Sequence, residues 1–288
     1  MPVQQELVRR IEDQVELDRI SRPIASLAGR ATRSDAVKNT LSGTWVGHQL
    51  HPMLTDLPIG AWVMAAALDW TAPRSGAKAA RRLTGLGILA ALPAAATGAS
   101  DWSETYGAEQ RVGVVHALAN TVGLLVQSAS WFARRRGRRL TGMALSTAGL
   151  SITLGAAYLG GHLSFIRGVG VNHTAFDDAV SDWTDVAGLA DLATDKPLRV
   201  TPGGVPVMLV QHDGGVSALS ATCVHAGGPL DEGEIVGKCI RCPWHASRFE
   251  VASGKVVRGP ASSDQPTWQV RVEGDRVYVR SAAPSPES

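Results

Sequence analysis

The chain has 288 residues, of which 44% are hydrophobic, and its 28 Lys and Arg nearly balance 26 Asp and Glu. This length predicts two domains, and we expect no nucleic-acid partner. Three cysteines are too few for a disulfide framework. The charge is unevenly divided, since residues 172–288 hold 10 basic and 15 acidic side chains and the remainder holds 18 and 11.

Residues 1–44 are predicted to form an amphipathic helical segment. Val3, Leu7, Ile11 and Val15 recur every four residues, with charged side chains between them, as on a helix with one apolar face. The segment has no signal-peptide h-region, so we do not expect a cleaved leader. Its apolar stripe would pack on the helices that follow, on the membrane surface or on a second copy of the chain.

Residues 45–171 are predicted to form an all-α bundle of four transmembrane helices. Four apolar stretches, each about long enough to cross a bilayer, cover residues 53–72, 83–99, 112–133 and 140–161. A soluble bundle would need a polar stripe on every helix, and the third and fourth stretches lack one. The sequence therefore predicts an integral membrane protein.

Basic residues in the loops predict the orientation. Clusters of Lys and Arg lie at residues 74–82 and 134–139, whereas the loop near residues 101–109 is acidic. Cytoplasmic loops carry the excess of positive charge. With an even number of spans, the C-terminal domain would lie on the extracytoplasmic side.

Four histidines lie near the ends of the predicted spans: His48, His51, His116 and His162. Up-and-down topology puts all four at one membrane face, where ionisable residues are candidate functional groups. We consider haem b or a metal ion as their ligand, because bundle helices commonly supply such ligands. The alternative is that they bond to the backbone or to Asp56 or Asp101, or contact a quinone or lipid headgroups.

The motif Gly47-His48-Gln49-Leu50-His51-Pro52 opens this region, and Gly160-Gly161-His162 closes it. In these motifs residues 45–171 resemble a bacterial family of four-helix membrane domains of unknown function. The resemblance implies a fold and a location in a bacterial cell membrane, and it implies no chemistry.

The C-terminal domain, residues 172–281, contains two short pairs of potential metal ligands. Cys223 and His225 have C-x-H spacing, and Cys242 and His245 have C-x-x-H spacing. This pattern, with Gly227-Gly228-Pro229 beside it and Gly259-Pro260-Ala261 later, resembles the Rieske [2Fe–2S] proteins. The resemblance implies an all-β domain whose cluster has two Cys on one iron and two exposed His on the other. A structural zinc site with a Cys2His2 ligand set is the alternative.

Three further residues are candidates for tuning the cluster: Gly228, Trp244 and Ser247. In high-potential Rieske proteins the positions of Gly228 and Trp244 carry a disulfide, and Ser247 matches a serine that donates a hydrogen bond to the cluster. Phe249 stands where those proteins have a tyrosine. The resemblance thus implies a reduction potential in the lower half of the Rieske range. Cys239 is expected to be a packed strand residue.

Strand-like runs are predicted at residues 206–211, 233–241, 248–251, 268–272 and 276–280, and residues 282–288 are expected to form a disordered tail. Together these features favour a membrane-anchored Rieske electron carrier that passes single electrons between a membrane or soluble donor, such as a quinone, and a partner oxidoreductase. We expect no catalytic oxygenase domain after the cluster domain. The alternatives are a redox sensor or scaffold that is not an enzyme, and the electron-donating component of a multi-subunit oxygenase.

Overall fold

The computed structural model describes residues 3–72, 74–212 and 215–282, which form two compact units. The helical unit comprises Met1–Ser34 and Gln49–Val169, and the other unit comprises Asp35–His48 and Gly170–Ser288. The predicted tail lies outside the described residues except for Ala282. The α-helices in the described residues are α1 Val3–Asp13, α2 Asp18–Ala31, α3 Asp35–Ser42, α4 Leu50–Thr71, α5 Ala77–Trp102, α6 Gly107–Arg135 and α7 Arg139–Phe165.

Helices α4 to α7 correspond to the four predicted spans. Helix α4 contacts α5 and α7, and α6 contacts the same two helices. Within the described residues, the helices long and apolar enough to cross a membrane are α5, α6 and α7. Asp56 and Asp69 lower the apolar character of α4, so a fourth crossing stays a prediction.

The helical unit contains the same hairpin twice, as α4–α5 and as α6–α7. The buried residues Pro58, Trp62, Ala65 and Asp69 of α4 recur in α6, at an offset of 65 residues, as Gly123, Gln127, Ser130 and Arg134. The buried positions of α5 recur in α7 at an offset of 62 residues, with Ala80, Thr84, Gly87 and Ala94 matched by Gly142, Ser146, Gly149 and Ala156. Sequence inspection missed this repeat, because the equivalent residues are mostly not identical.

Polar contacts inside the two hairpins are also equivalent. His51 Nδ1 lies 2.8 Å from the carbonyl oxygen of Ala94, and His116 Nδ1 lies 2.8 Å from that of Ala156. Each hairpin has a second bond from a side chain to a backbone carbonyl of the neighbouring helix. Trp62 donates to the carbonyl of Thr84 in the first hairpin, and Gln127 donates to the carbonyl of Ser146 in the second. Polar side chains in an apolar bundle are satisfied in this way by the neighbouring helix.

The N-terminal segment differs from the single amphipathic helix predicted for it. It is broken after α1, where Gln14 has a non-helical backbone (φ −80°, ψ 83°), and again between α2 and α3. Val8 of α1 packs with Val112 and Leu159 of the bundle, and Asp18 of α2 bonds to Arg111 at 2.7 Å. Of the predicted apolar stripe only Ile11 joins this contact, whereas Val3, Leu7 and Val15 are exposed, so the prediction that the stripe packs on the following helices is wrong for most of its residues.

Helix α3 is separated in the chain from most of the structural unit to which it belongs. It belongs to the unit that contains residues 170–288, although it precedes the bundle in the chain. Asp35 forms ion pairs with Arg248 and Arg258, and these contacts between distant parts of the chain fix α3 there. Sequence periodicity carries no information about such contacts.

The second unit contains two antiparallel sheets. The six-stranded sheet has the order β1-β10-β9-β4-β3-β2 and the four-stranded sheet the order β5-β6-β7-β8. The strands are β1 Thr184–Gly188, β2 Leu198–Val200, β3 Val207–His212, β4 Gly215–Ser220, β5 Glu234–Val236, β6 Cys239–Arg241, β7 Arg248–Glu250, β8 Val256–Arg258, β9 Thr267–Glu273 and β10 Arg276–Ser281.

The predicted strand runs agree with β3, β7, β9 and β10 to within about two residues. The run at residues 233–241 is instead two strands, β5 and β6, joined by a turn in which Gly237 has φ 62°. Strands β1, β2, β4 and β8 were not predicted. The core below the small sheet contains Leu230, Ile240 and Phe249, all fully buried, and this core positions the loops that leave β4 and β6.

Candidate iron–sulfur site

The two loops that carry the predicted ligands have the same backbone hydrogen bonds. In the first, Cys223 N–H donates to Gly228 O (2.8 Å) and Gly227 N–H to Cys223 O (2.9 Å). In the second, Cys242 N–H donates to Ser247 O (2.9 Å) and Ala246 N–H to Cys242 O (3.1 Å). The fourth residue after each Cys has a positive φ, 77° at Gly227 and 57° at Ala246. Two separate segments therefore close into one loop form, each with a Cys at its start.

The two cysteine sulfurs are hydrogen-bonded to each other and are buried. Backbone N–H groups of His225 and Ala226 point to Cys223 Sγ, and those of Trp244 and His245 point to Cys242 Sγ. The mutual hydrogen bond raises the pKa of Cys223 and lowers that of Cys242 to about 6. Backbone donors of this kind stabilise thiolates, which are the form that binds metal.

The two histidine rings also lie together. Their centroids are 4.9 Å apart with an interplanar angle of 83°. Burial lowers the pKa of His225 to about 3, and the neighbouring His245, Lys38 and His173 act in the same direction. A neutral imidazole is the form that ligates a metal. Both histidines are half-buried, so the prediction of exposed imidazoles is wrong. The segment that carries His173 packs against the first ligand loop, where His173 N–H donates to Val224 O at 3.1 Å.

The four ligands form a sulfur pair and an imidazole pair. Among the described residues, no three His, Cys, Asp or Glu side chains surround a common point as the ligands of one metal ion would. A binuclear cluster needs two ligands on each iron, and the Rieske type has Cys on one and His on the other. Cys223, Cys242, His225 and His245 fit that cluster in donor chemistry and in pairing.

Gly228 and Trp244 bring the two loops into contact. A Cβ at position 228 would lie 3.0 Å from Cys242 Sγ and 3.1 Å from the Trp244 ring, so a larger residue would push these neighbours aside. The Trp244 side chain is 55% exposed, and its ring centroid lies 6.3 Å from that of His245. Cys223, Cys239 and Cys242 are free thiols, with Cys239 in β6 as expected.

Ser247 and Gln265 hold the two ligand loops in place through buried hydrogen bonds. Ser247 Oγ is buried and accepts the N–H of Ala261 at 3.0 Å, which ties the second loop to the loop at residues 259–261. Gln265 is 2% exposed, accepts Val224 N–H (3.1 Å) and donates to Thr222 O (2.7 Å). A lone glutamine gives no sequence signal, and Gln265 was not predicted.

The four histidines of the predicted membrane region do not come together. His51 and His116 are neighbours, with ring centroids 6.4 Å apart and planes at 83°. His162 Nε2 lies 2.9 Å from Glu12 Oε1 of α1. His48 is exposed and belongs to the other unit. The predicted set of four is thereby reduced to one pair.

A β domain in which two equivalent loops present two cysteines and two histidines defines a protein of the Rieske type. Residues 182–269 match the family model of the Rieske [2Fe-2S] domain, and residues 47–173 match the model described as predicted membrane protein (DUF2231). The chain belongs to the Rieske [2Fe–2S] family and joins its Rieske domain to a DUF2231 domain. The resemblance of each region to its family is confirmed.

Curated relatives similar to about a third of the chain include ferredoxin components of dioxygenase systems. The ferredoxin component of a naphthalene 1,2-dioxygenase system from Pseudomonas aeruginosa is 30% identical over 97 residues, which are 34% of this chain and 93% of that protein. The ferredoxin component of biphenyl 2,3-dioxygenase from Rhodococcus jostii is 33% identical over 96 residues, 33% of this chain and 90% of that protein. A solved structure, the ferredoxin of carbazole 1,9a-dioxygenase from Nocardioides aromaticivorans, shares 31% identity at a TM-score of 0.34 and covers 35% of this chain and 99% of its own.

Proposed function

We propose that this protein is a membrane-anchored one-electron carrier. The observation that supports it best is the meeting of two equivalent loops that place a buried sulfur pair beside a half-buried imidazole pair. When bound, a Rieske cluster takes up and releases single electrons. Cys223 and Cys242 hold one iron, His225 and His245 the other, and the buried core below excludes water from the sulfur side.

The similarity to dioxygenase ferredoxin components favours a redox protein as the partner. The chain accordingly passes electrons between a donor, either a membrane quinol or a soluble reductase, and a partner oxidoreductase. An electron-donating component of an oxygenase system is the nearest alternative role. A redox sensor or scaffold is the other alternative, in which the cluster reports a redox state to a partner.

The test is electron exchange by the full-length protein in detergent. A carrier is reduced within a catalytic turnover by a quinol or by a ferredoxin reductase from a dioxygenase system, and it shows a reversible rhombic EPR signal. Exchange too slow to support turnover with both reductants, together with a partner that binds only one redox state, would show a sensor instead.

The extracytoplasmic position of the Rieske domain is part of this proposal. It rests on the basic loops at residues 74–82 and 134–139. In a Cys239→Ser background, Lys255→Cys places a thiol at an exposed position of the β unit. A membrane-impermeant maleimide labels it in intact cells if the domain is outside, and only after lysis if the domain is cytoplasmic.

We further propose that any haem b or metal ion in the bundle is held by His51 and His116, without His48 or His162. The Nδ1 atoms of this pair bond to Ala94 and Ala156 carbonyls, which leaves the Nε2 atoms as the ligating positions. Asn120 Nδ2 lies 3.2 Å from His116 Nε2 and would have to move. Haem bands in a reduced-minus-oxidised spectrum that vanish in His116→Ala and persist in His162→Ala would support this. A spectrum with cluster absorption alone excludes haem.

A further inference from the structure

Helix α3, Asp35–Ser42, contacts the loop that follows β8, although it lies outside both matched family regions. Asn39 Oδ1 accepts the N–H of Gly259 (2.9 Å), and Asn39 Nδ2 donates to the carbonyl of Val257 (3.0 Å). The Asn39 amide thus pairs with the backbone as another strand would. A Cβ at position 259 would lie 3.1 Å from Ser42 Oγ, so the helix approaches this loop closely.

Ion pairs hold the first turn of α3 to the same region. Asp35 Oδ1 lies 2.8 Å from Arg258 Nε, and Asp35 Oδ2 pairs with Arg248, the residue that follows Ser247. Arg258 Nη1 also donates to the carbonyls of Ala246 (3.1 Å) and Gly259 (2.8 Å). Asp35 is therefore linked through two arginines to both the second ligand loop and the loop at residues 259–261.

Lys38 occupies the centre of this contact. It is only 2% exposed, and its Cγ lies 3.5 Å from the position of a Cβ on Gly259. A lysine is rarely so buried on a surface helix, and here the burial holds a cation against the loop at residues 259–261, whose Ala261 N–H bonds to Ser247 Oγ of the second ligand loop.

We propose that α3 is a functional part of the cluster site and that the buried ammonium of Lys38 raises the cluster's reduction potential. Reduction adds one negative charge, and a nearby cation in a weakly screened site stabilises the reduced form. The effect opposes the low potential that the sequence implies, and it rests on the proposed electron-carrier function. Lys38 is a positioning and tuning residue, because it contacts the loops and touches no electron partner.

The experiment is a redox titration, followed by EPR, of full-length protein in detergent. Lys38→Met keeps most of the side-chain volume and removes the charge, and Lys38→Arg keeps the charge. Lys255→Met, at an exposed position of the same unit, controls for a general change in net charge. We expect the equilibrium constant for reduction to fall at least about threefold in Lys38→Met, roughly 28 mV, and to stay near wild type in the other two.

A potential in Lys38→Met equal to or above wild type overturns the proposal, as does an equal fall in Lys255→Met. If Lys38→Met does not retain iron, Lys38→Gln is titrated in its place with the same expectation. Wild-type protein with neither bound iron nor an EPR signal would instead refute the proposed function, so the two failures are distinguishable.

Discussion

Asp69 and Arg134 occupy the same position in the two hairpins of the helical unit, and they bind each other. Arg134 Nη1 lies 2.9 Å from Asp69 Oδ1. The Arg134 side chain is 4% exposed and the Asp69 side chain 2%. Asp69 and Arg134 can meet in this way because the two hairpins face each other with their equivalent positions in contact. The pair therefore joins the repeats directly, with Arg134 Nε also donating to Ser130 at 3.2 Å.

This relationship predicts strong coupling between the two charges. Asp69→Leu or Arg134→Met alone should destabilise the helical unit by roughly 3–5 kcal/mol, because each leaves one buried charge without its partner. The double variant should recover most of that loss. Because the positions are equivalent, the exchanged pair Asp69→Arg with Arg134→Asp should also fold. Thermal unfolding in detergent measures all four, and additive losses in the double variant would contradict the coupling.

The closeness of helix packing at three glycines predicts that their replacement by alanine changes the stability of the helical unit to different degrees. A Cβ at Gly98 would lie 2.6 Å from His51 Cε1, one at Gly160 would lie 3.1 Å from His116 Cε1, and one at Gly60 meets nothing within 4 Å. We expect Gly98→Ala to cost about 1–3 kcal/mol, Gly160→Ala to cost less, and Gly60→Ala to be neutral or to stabilise by about 0.5 kcal/mol. Melting temperatures in one detergent test the order, and equal effects at all three positions would refute the packing explanation.

The assignment of cluster ligands predicts selective loss of iron. Cys242→Ser and His245→Ala should each abolish the rhombic EPR signal and lower the iron content well below the wild-type value, because one iron loses a ligand. Cys239→Ser is the matched control, since this thiol lies in β6 and makes no hydrogen bond to the other cysteines among the contacts described. Iron lost from Cys239→Ser to the same degree would mean that the ligand set is wrong.

Ser247 and Phe249 predict opposite changes in potential. The hydroxyl of Ser247 accepts Ala261 N–H, and its own proton is available as a donor toward the cluster. Ser247→Ala should lower the midpoint, whereas Phe249→Tyr should raise it if the added hydroxyl reaches a sulfur. One hydrogen bond of about 1 kcal/mol corresponds to roughly 40 mV for a single electron. Potentiometric titration of both variants decides this, and a rise in Ser247→Ala would rule out its role as a donor.

The site was more predictable from sequence than the domain organisation. Short spacing determines the ligand loops, so local pattern and family resemblance alone were enough to predict that Cys223, His225, Cys242 and His245 lie in two loops that meet. Lys38, Asn39 and Gln265 could not be predicted, because their contacts join residues far apart in the chain, as Asn39 and Gly259 are at a separation of 220. The repeat in the helical unit was hidden for another reason. Its equivalence lies in which positions are buried, and Asp69 and Arg134 even have opposite charges.

The position of α3 has a practical consequence for anyone preparing the Rieske domain by itself. A fragment starting near residue 172, where the sequence suggests a natural boundary, would lack Asp35, Lys38 and Asn39. Arg248 and Arg258 would lose their shared carboxylate, and Gly259 would lose its amide partner. Such a fragment would keep its own four ligands for iron, yet its reduction potential and its loop dynamics would differ from those of the intact protein. Spectra of the excised domain would then not represent the cluster of the intact protein. A fragment to which residues 35–48 are fused would restore the missing contacts.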